Sequence, residues 1–403
     1  MSRTNDLGRD EIPRLVVRLA IPTMLAQLVN VLYSIVDRMY IGTGVGDLAL
    51  AGVGICSPIV TLLASFGSMV GQGGAPVMAM KMGSGKKKEA RQVLNNGFLM
   101  LLILSAVLTS LFLLSKNSLL MWFGAILNIL LDPLFIFVFH MGVAGAAIAT
   151  VISQIVSCLF VLGCLFSKRM PVRLGWGDFH LHVMKRIVTF GFSPFLILAS
   201  DSILLIVLNT VLQRYGGPGE GDTLVTCATI VQSYLLLITM PMGGITLGSQ
   251  PVVSFNYGKG DVQRIKKAIL YITGLCVSFC ILMTVVTWTI SPVYVRLFTE
   301  DPEILHRSVT YIKRFTFMII PLAIQYPLVD ETTALGKVKL ALFCSAFRKF
   351  IFLAGLIFLP ALFTADAAFF SEPVADVVSA TMTSCLFFHF FPKILKEREH
   401  VTI

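Results

Sequence analysis

The chain has 403 residues, 56% of them hydrophobic and only 13% charged, with a formal net charge of +10. Apolar runs of about 20 residues recur along almost its whole length, and that is the length of helix that crosses a bilayer. The composition excludes an ordinary soluble domain and points to an all-α polytopic membrane protein. The positive charge invites a nucleic-acid reading, but the basic residues cluster in short loops between apolar runs: "KMGSGKKKEAR", "SKRMPVR", "YGKGDVQRIKK", "GKVK", "FRK" and the tail "PKILKEREH". Such loops read as cytoplasmic, whereas "GTGVGDLA", "RYGGPGEGD" and "FTADAAFFSE" suit the outer side. The charge therefore orients the chain and meets anionic lipid, with no nucleic-acid partner expected.

In chain order, the first 14 residues mix both charge signs. The first apolar run, 15–41, is interrupted by Arg18, Gln27, Asn30 and Asp37 and lacks a small-residue cleavage site. It reads as a retained first helix rather than a signal peptide. Next comes "GVGDLALAGVGI" at 44–55, answered at an offset of 175 by "GEGDTLVTCATI" at 219–230. The same offset pairs Pro76 with Pro251, Gly83 with Gly258 and Gly85 with Gly260, and an offset of 172 pairs Pro22 with Pro194 and Asp37 with Asn209. Two homologous helical lobes follow from this repeat: residues 1–165, a basic cytoplasmic linker at 166–186, and residues 187–403. Both lobes begin on the cytoplasmic side, so the pseudo-two-fold relating them runs along the membrane normal.

The second lobe reads as six helices, near 187–212, 224–255, 268–297, 308–335, 340–363 and 369–391. The first lobe is incomplete. Pro251 and Asp376 stand 125 residues apart, while the matching Pro76 and Thr150 stand 74 apart, a shortfall of 51. Helices 1–3, part of a fifth and a sixth are expected there, with the fourth absent. Residues 118–141 would then re-enter from the outer side or lie as a broken helix bent at Pro133, since a single extra crossing would reverse every later basic loop.

Little in the chain suggests covalent chemistry. The eight cysteines lie in or beside apolar segments without metal-ligand spacing and read as small apolar residues, Cys276 and Cys280 sharing one helix face. His140 and His389 lie near apolar segments without a visible partner, and no P-loop or nucleophile elbow occurs. Neither an enzyme nor an ATP-driven pump is expected, and no metal or other cofactor.

The stretch "AILNILLDPLFIFVFHMGVAGAAIAT", 125–150, sets Asp132 beside Pro133 inside an apolar run. A carboxylate in hydrocarbon costs on the order of 3 kcal/mol or more, so it faces a cavity or a partner, and it can stay protonated until water enters. Asn128 lies one turn away on the same face, and Pro133 leaves the Ile129 carbonyl without its helical donor. Asp37, Asp132 and Thr150 each fall five to eight residues from an outer loop, roughly 7 to 12 Å below the surface. Plainer roles stay open: Asp132 bonded to a local amide, Asp37 paired with Arg38, Asn128 and Thr150 joining helices. Asp201, Asp330, Glu331 and Asp376 also lie in or near apolar segments. Asp376 is the candidate functional acid of the second lobe, while Asp330 and Glu331 fall near its cytoplasmic end and are expected to be solvated.

The run "GSQPVVSFNYGKGD", with Gln250, Pro251, Asn256, Tyr257 and Gly258, resembles the motif after the eighth helix of multidrug and toxic-compound extrusion (MATE) transporters. "YSIVDRMYIG", "LNILLDPLF" and "GVAGAAIAT" resemble that family's first, fifth and sixth helices, and the likeness, to its bacterial multidrug branch, covers nearly the entire chain. The resemblance implies two six-helix lobes that rock around a central cavity, exporting lipophilic organic cations in exchange for H⁺ or Na⁺. It maps Asp37, Asn128, Asp132 and Thr150 onto the cation-coupling network. It makes Pro76, Gln250, Pro251, Asn256, Tyr257 and Gly258 family motif positions, read as helix-end and lobe-packing structure. It implies a monomer in the inner or plasma membrane with both termini cytoplasmic. Two other readings compete: a lipid-linked glycan flippase of the same superfamily, which would need arginines for a pyrophosphate, and a truncated, transport-inactive product.

Overall fold

The computed structural model describes residues 6–44, 47–114, 177–217 and 219–399, with separate positions between 152 and 175. For 37–44, 47–60, 109–114 and 397–399 it describes the backbone alone. Among the described residues all regular structure is helical. The helices are α1 (Ile12–Gly44), α2 (Asp47–Gly83), α3 (Lys87–Leu114), α4 (Leu181–Gly216), α5 (Glu220–Lys259), α6 (Val262–Val295), α7 (Pro302–Phe315), α8 (Ile319–Ala334), α9 (Val338–Leu362) and α10 (Ser371–Glu399). Seven spans in the described residues are long and apolar enough to cross a membrane, and an eighth if α7 and α8 count as one. Large apolar side chains such as Leu270, Leu362 and Phe388 project outward from them. On a soluble protein such a surface would drive aggregation, whereas in lipid it is the solvated face.

The six helices expected after residue 187 are present, with one difference. The segment expected as a single helix over 308–335 is α7 and α8, bent by 51° across Thr316, Phe317 and Met318. Pro321, at the third position of α8, cannot donate toward the Phe317 carbonyl and its ring crowds that group, so the helix breaks there. Asp301 starts α7 as its N-cap, accepting from the backbone N–H groups of Glu303 (2.8 Å) and Ile304 (3.3 Å), with Pro302 following in the first turn.

The repeat is written into the backbone. α2 and α5 both run out at a glycine with left-handed backbone, Gly85 (φ 75°) and Gly260 (φ 84°). Around Gly85, Lys86 N–H donates to the Lys81 carbonyl (2.9 Å) and Gly85 N–H to that of Met82 (3.1 Å). At the offset of 175, Asp261 N–H donates to the Asn256 carbonyl (3.0 Å) and Gly260 N–H to that of Tyr257 (3.3 Å). This is one helix stop used twice, and only glycine takes the left-handed position without a Cβ penalty.

Candidate functional site: the seam between the halves and the buried acids

Helices in a membrane gain little hydrophobic energy from meeting one another, so close packing through small residues has to hold them together. Near the basic loops, α2 and α5 cross through two glycines. A Cβ on Gly83 would overlap the Phe255 carbonyl oxygen, and a Cβ on Gly258 would overlap that of Met80. The two contacts exchange under the offset of 175, so the approximate two-fold passes between them. A second crossing joins α2 and α4, where Gly73 meets the backbone at Ile187 and Gly191 meets the Met69 carbonyl. α1 lies along α5 in the same manner, with Gly244 set 2.7 Å from the Thr23 carbonyl if given a Cβ.

Two polar clasps reinforce this end. The segment before α1 is a tight turn over Asp6 to Asp10, with Gly8 N–H donating to Asp6 Oδ1 at 2.9 Å. Asn256, fully buried, donates from Nδ2 to the Leu7 carbonyl (3.0 Å) and accepts Arg264 Nε at Oδ1 (3.0 Å). Arg264 also donates to the carbonyls of Leu7 (3.1 Å) and Asp10 (2.8 Å), and Lys259 donates to that of Gly8 (3.1 Å). The family motif thus anchors the entry to α1 from α5 and α6. The segment before α4 is held from α3: Asn95 accepts from Gly175 N–H (2.9 Å) and donates to the Gly177 carbonyl (3.2 Å), while Asn96 accepts from His180 N–H (2.8 Å) and donates to the Asp178 carbonyl (3.1 Å).

The other motif positions are also placed. Gln250 donates from Nε2 to the Asp330 carbonyl (3.2 Å) and Ser254 donates to that of Ala334 (3.1 Å), so the motif ties α5 to α8 as well. Pro76 and Tyr257 are buried, and Pro251 is half-buried inside α5. Of the coupling residues expected in the first lobe, Asp37 lies in the helical backbone of α1 and its side chain is outside the described residues. Asn128, Asp132 and Thr150 also lie outside the described residues.

The acids of α8 to α10 depart from expectation. Asp376 is buried, and its Oδ1 accepts from both Nε (3.1 Å) and a terminal nitrogen (2.9 Å) of Arg348 on α9. Glu372, one turn earlier, pairs with the same arginine, and Lys349 pairs with Asp201 on α4. Ser379 hydroxyl donates to Gln325 Oε1 at 3.0 Å, carrying the polar contacts onward to α8. Buried charges of this kind persist only when paired, and removing one partner strands the others. The solvation expected for Asp330 and Glu331 is overturned. Asp330 is half-buried and accepts from the Thr246 side chain, and Glu331 is 0% exposed with neither carboxyl oxygen hydrogen-bonded. Their place in sequence, one turn before the basic "GKVK" loop, suggested water. In the fold α8 packs against α5, α6, α9 and α10, and Glu331 is fully covered.

The sequence reading missed Arg348 as a partner for two acids, Glu331 as a dry acid, and Asn95, Asn96 and Arg264 as clasp residues. Asn256 was singled out, but its partner in the first ten residues was not. "FRK", expected as a basic loop, lies in the middle of α9, and the available signal was the apolar run on both sides of it, "CSAFRKFIF".

Comparisons with known proteins agree with this architecture. A model of the MatE family matches residues 22–130 and 197–360. The multidrug export protein MepA of Staphylococcus haemolyticus is 21% identical over 415 aligned positions, covering 90% of this chain and 90% of MepA. Among solved structures, a MATE in complex with MaL6 superposes with a TM-score of 0.89 at 21% identity, covering 97% of this chain and 98% of that one. An outward-facing multidrug resistance MATE transporter of the MOP superfamily superposes with a TM-score of 0.88 at 21% identity, covering 98% and 100%. The chain is an all-helical, multi-span membrane protein, and it belongs to the MatE family.

Proposed function

We propose that the chain exports lipophilic organic cations in exchange for inward H⁺ or Na⁺, through rocking of two lobes, residues 1–165 and 187–403, about the linker 166–186. The observation that carries this reading is the seam. The halves meet at the basic end through exchanged glycine contacts and one set of hydrogen bonds to the backbone of 7–10, while a second set ties the linker at 175–180 to α3, and all of these can part without breaking either half. The family match in two segments and the multidrug relatives support it. Under the positive-inside rule the basic end is cytoplasmic, both termini lie there, and the arrangement is closed to the cytoplasm. The membrane would be the plasma or inner membrane, with the protein working as a monomer among its lipids.

By resemblance, Asp37, Asn128, Asp132 and Thr150 form the coupling network, and Asp132 is the group whose titration drives it. Asp376 is held by Arg348, which suits a positioning role in the second lobe. A lipid-linked glycan substrate is disfavoured, because Arg348, a half-buried arginine that could meet a pyrophosphate, is already committed to two carboxylates.

One observation favours a second reading, a shortened and poorly active family member. An alignment of 415 positions that takes in 90% of a 403-residue chain must set gaps against it, in line with the shortfall of 51 between Pro76 and Thr150. Ethidium efflux from cells expressing the chain, with and without a proton uncoupler, separates the readings. Uncoupler-sensitive efflux supports the antiporter, and none at normal expression supports the shortened product. Asp132→Asn should reduce coupled efflux by at least tenfold with expression retained. Unchanged efflux in that variant removes Asp132 from the coupling role.

A further inference from the structure

Glu331 is a buried acid that the mechanism above leaves unused. It is 0% exposed, and neither Oε1 nor Oε2 has a hydrogen-bond partner. The donors around it are committed elsewhere. Thr332 hydroxyl turns back to the Leu328 carbonyl (2.6 Å) and Thr333 hydroxyl to that of Val329 (3.3 Å). Gln250 amide goes to the Asp330 carbonyl, and Thr246 hydroxyl serves the Gly243 carbonyl (3.0 Å) and the Asp330 side chain. The titratable groups that act on Glu331 are Asp330 on its own turn and the Cys276 thiol on α6. Among the described residues, α5, α9 and α10 bring it no charged partner. A carboxylate without a partner in such a place costs several kcal/mol, whereas the neutral acid costs far less.

Its position gives the group a consequence. Gln250 and Ser254 bond to the carbonyls of Asp330 and Ala334, so Glu331 lies beside 250–254 of α5. That is four to eight residues, or roughly 6 to 12 Å, along α5 from Gly258, where α5 meets α2. Parting α2 from α5 would bring water within about two turns of the carboxyl. Asp376 and Glu372, the other acids described as buried in this half, both pair with Arg348, so Glu331 is distinct in kind from them.

We propose that Glu331 is a proton-carrying site of the second lobe, holding a proton while the Gly83–Gly258 seam is closed and yielding it to cytoplasmic water when the seam opens. The release step rests on the rocking-lobe reading above, but occupancy of the site by a proton does not. The test is infrared difference spectroscopy of the purified full-length chain between low and high pH, reading the carbonyl stretch of a buried carboxylic acid. The wild type should show a protonated carboxyl band at neutral pH that Glu331→Gln abolishes and Glu331→Asp shifts. Both variants should keep the wild-type elution profile. A band unchanged in folded Glu331→Gln overturns the site. In Gly258→Ala, which props the seam, the band should titrate at lower pH than in the wild type, and an unmoved titration overturns the release step. If uncoupler-sensitive ethidium efflux is absent while the Glu331 band is present, the transport reading fails and the protonated site stands.

Discussion

The two clasps at the basic end do the same topological work with different chemistry. Before α1, the turn over Asp6 to Asp10 is held by Asn256 together with two cationic side chains, Arg264 and Lys259, which donate to three backbone carbonyls. Before α4, the chain from Gly175 to His180 is held by two buried neutral amides, Asn95 and Asn96, each both donating and accepting. Charge-assisted bonds are the stronger kind, but Lys259 is 44% exposed and its bond is open to screening. The amide pair is dry and indifferent to salt. The repeat has therefore kept the helix stop and the glycine crossing, which depend on backbone geometry, while the residues that close each entry have diverged.

The most disruptive way to break the comparison is at the crossing both clasps protect. Gly258→Val places a branched side chain against the Met80 carbonyl, where backbone has to move, and overpacking of this kind costs about 1–3 kcal/mol or more. Gly83→Val should do the same against Phe255. Both should lower the melting temperature in detergent and speed amide exchange at 80–86 and 255–261 together. Exchange that rises on one side alone would show that the contact is not shared.

A smaller effect separates the clasps. Asn256→Ala removes one of the two donors to the Leu7 carbonyl and a partner of Arg264, and Asn96→Ala strands the His180 N–H and the Asp178 carbonyl. Each should cost about 1–3 kcal/mol. Amide exchange should increase at 7–15 in the first variant and at 175–183 in the second, with little crossover. If Asn256→Ala loosens both segments equally, the clasps act as one unit.

The smallest effect sharpens the chemical difference. Raising ionic strength from about 0.01 M to 1 M shrinks the screening length from about 30 Å to 3 Å. Exchange at 7–10 should rise severalfold in high salt and in Lys259→Ala, while exchange at 175–180 stays unchanged. Equal salt response in both segments would remove the distinction between the clasps.

Much of this was legible in the residues. The presence of α5 and α6 and the pairing of Gly85 with Gly260 followed from hydropathy and an offset repeat, although α5 starts and ends four residues outside its expected bounds and α6 starts six residues early. The bend between α7 and α8 was missed although Pro321 was in view, because a proline near an apolar run reads equally as a kink or as a first-turn residue. Glu331 was misplaced because proximity to a basic loop in sequence was taken for proximity to water.

By itself the sequence determined that the chain spans a membrane and that its helix stops and glycines recur at a fixed offset, since hydropathy and backbone stops are local properties repeated along one dimension. Tertiary structure alone decided which acids are paired and which are dry. Arg348 reaches Asp376 across 28 residues, and Asn256 reaches Leu7 across 249. A side chain's partner and solvation depend on which helices surround it, and no spacing within one helix encodes that neighbour.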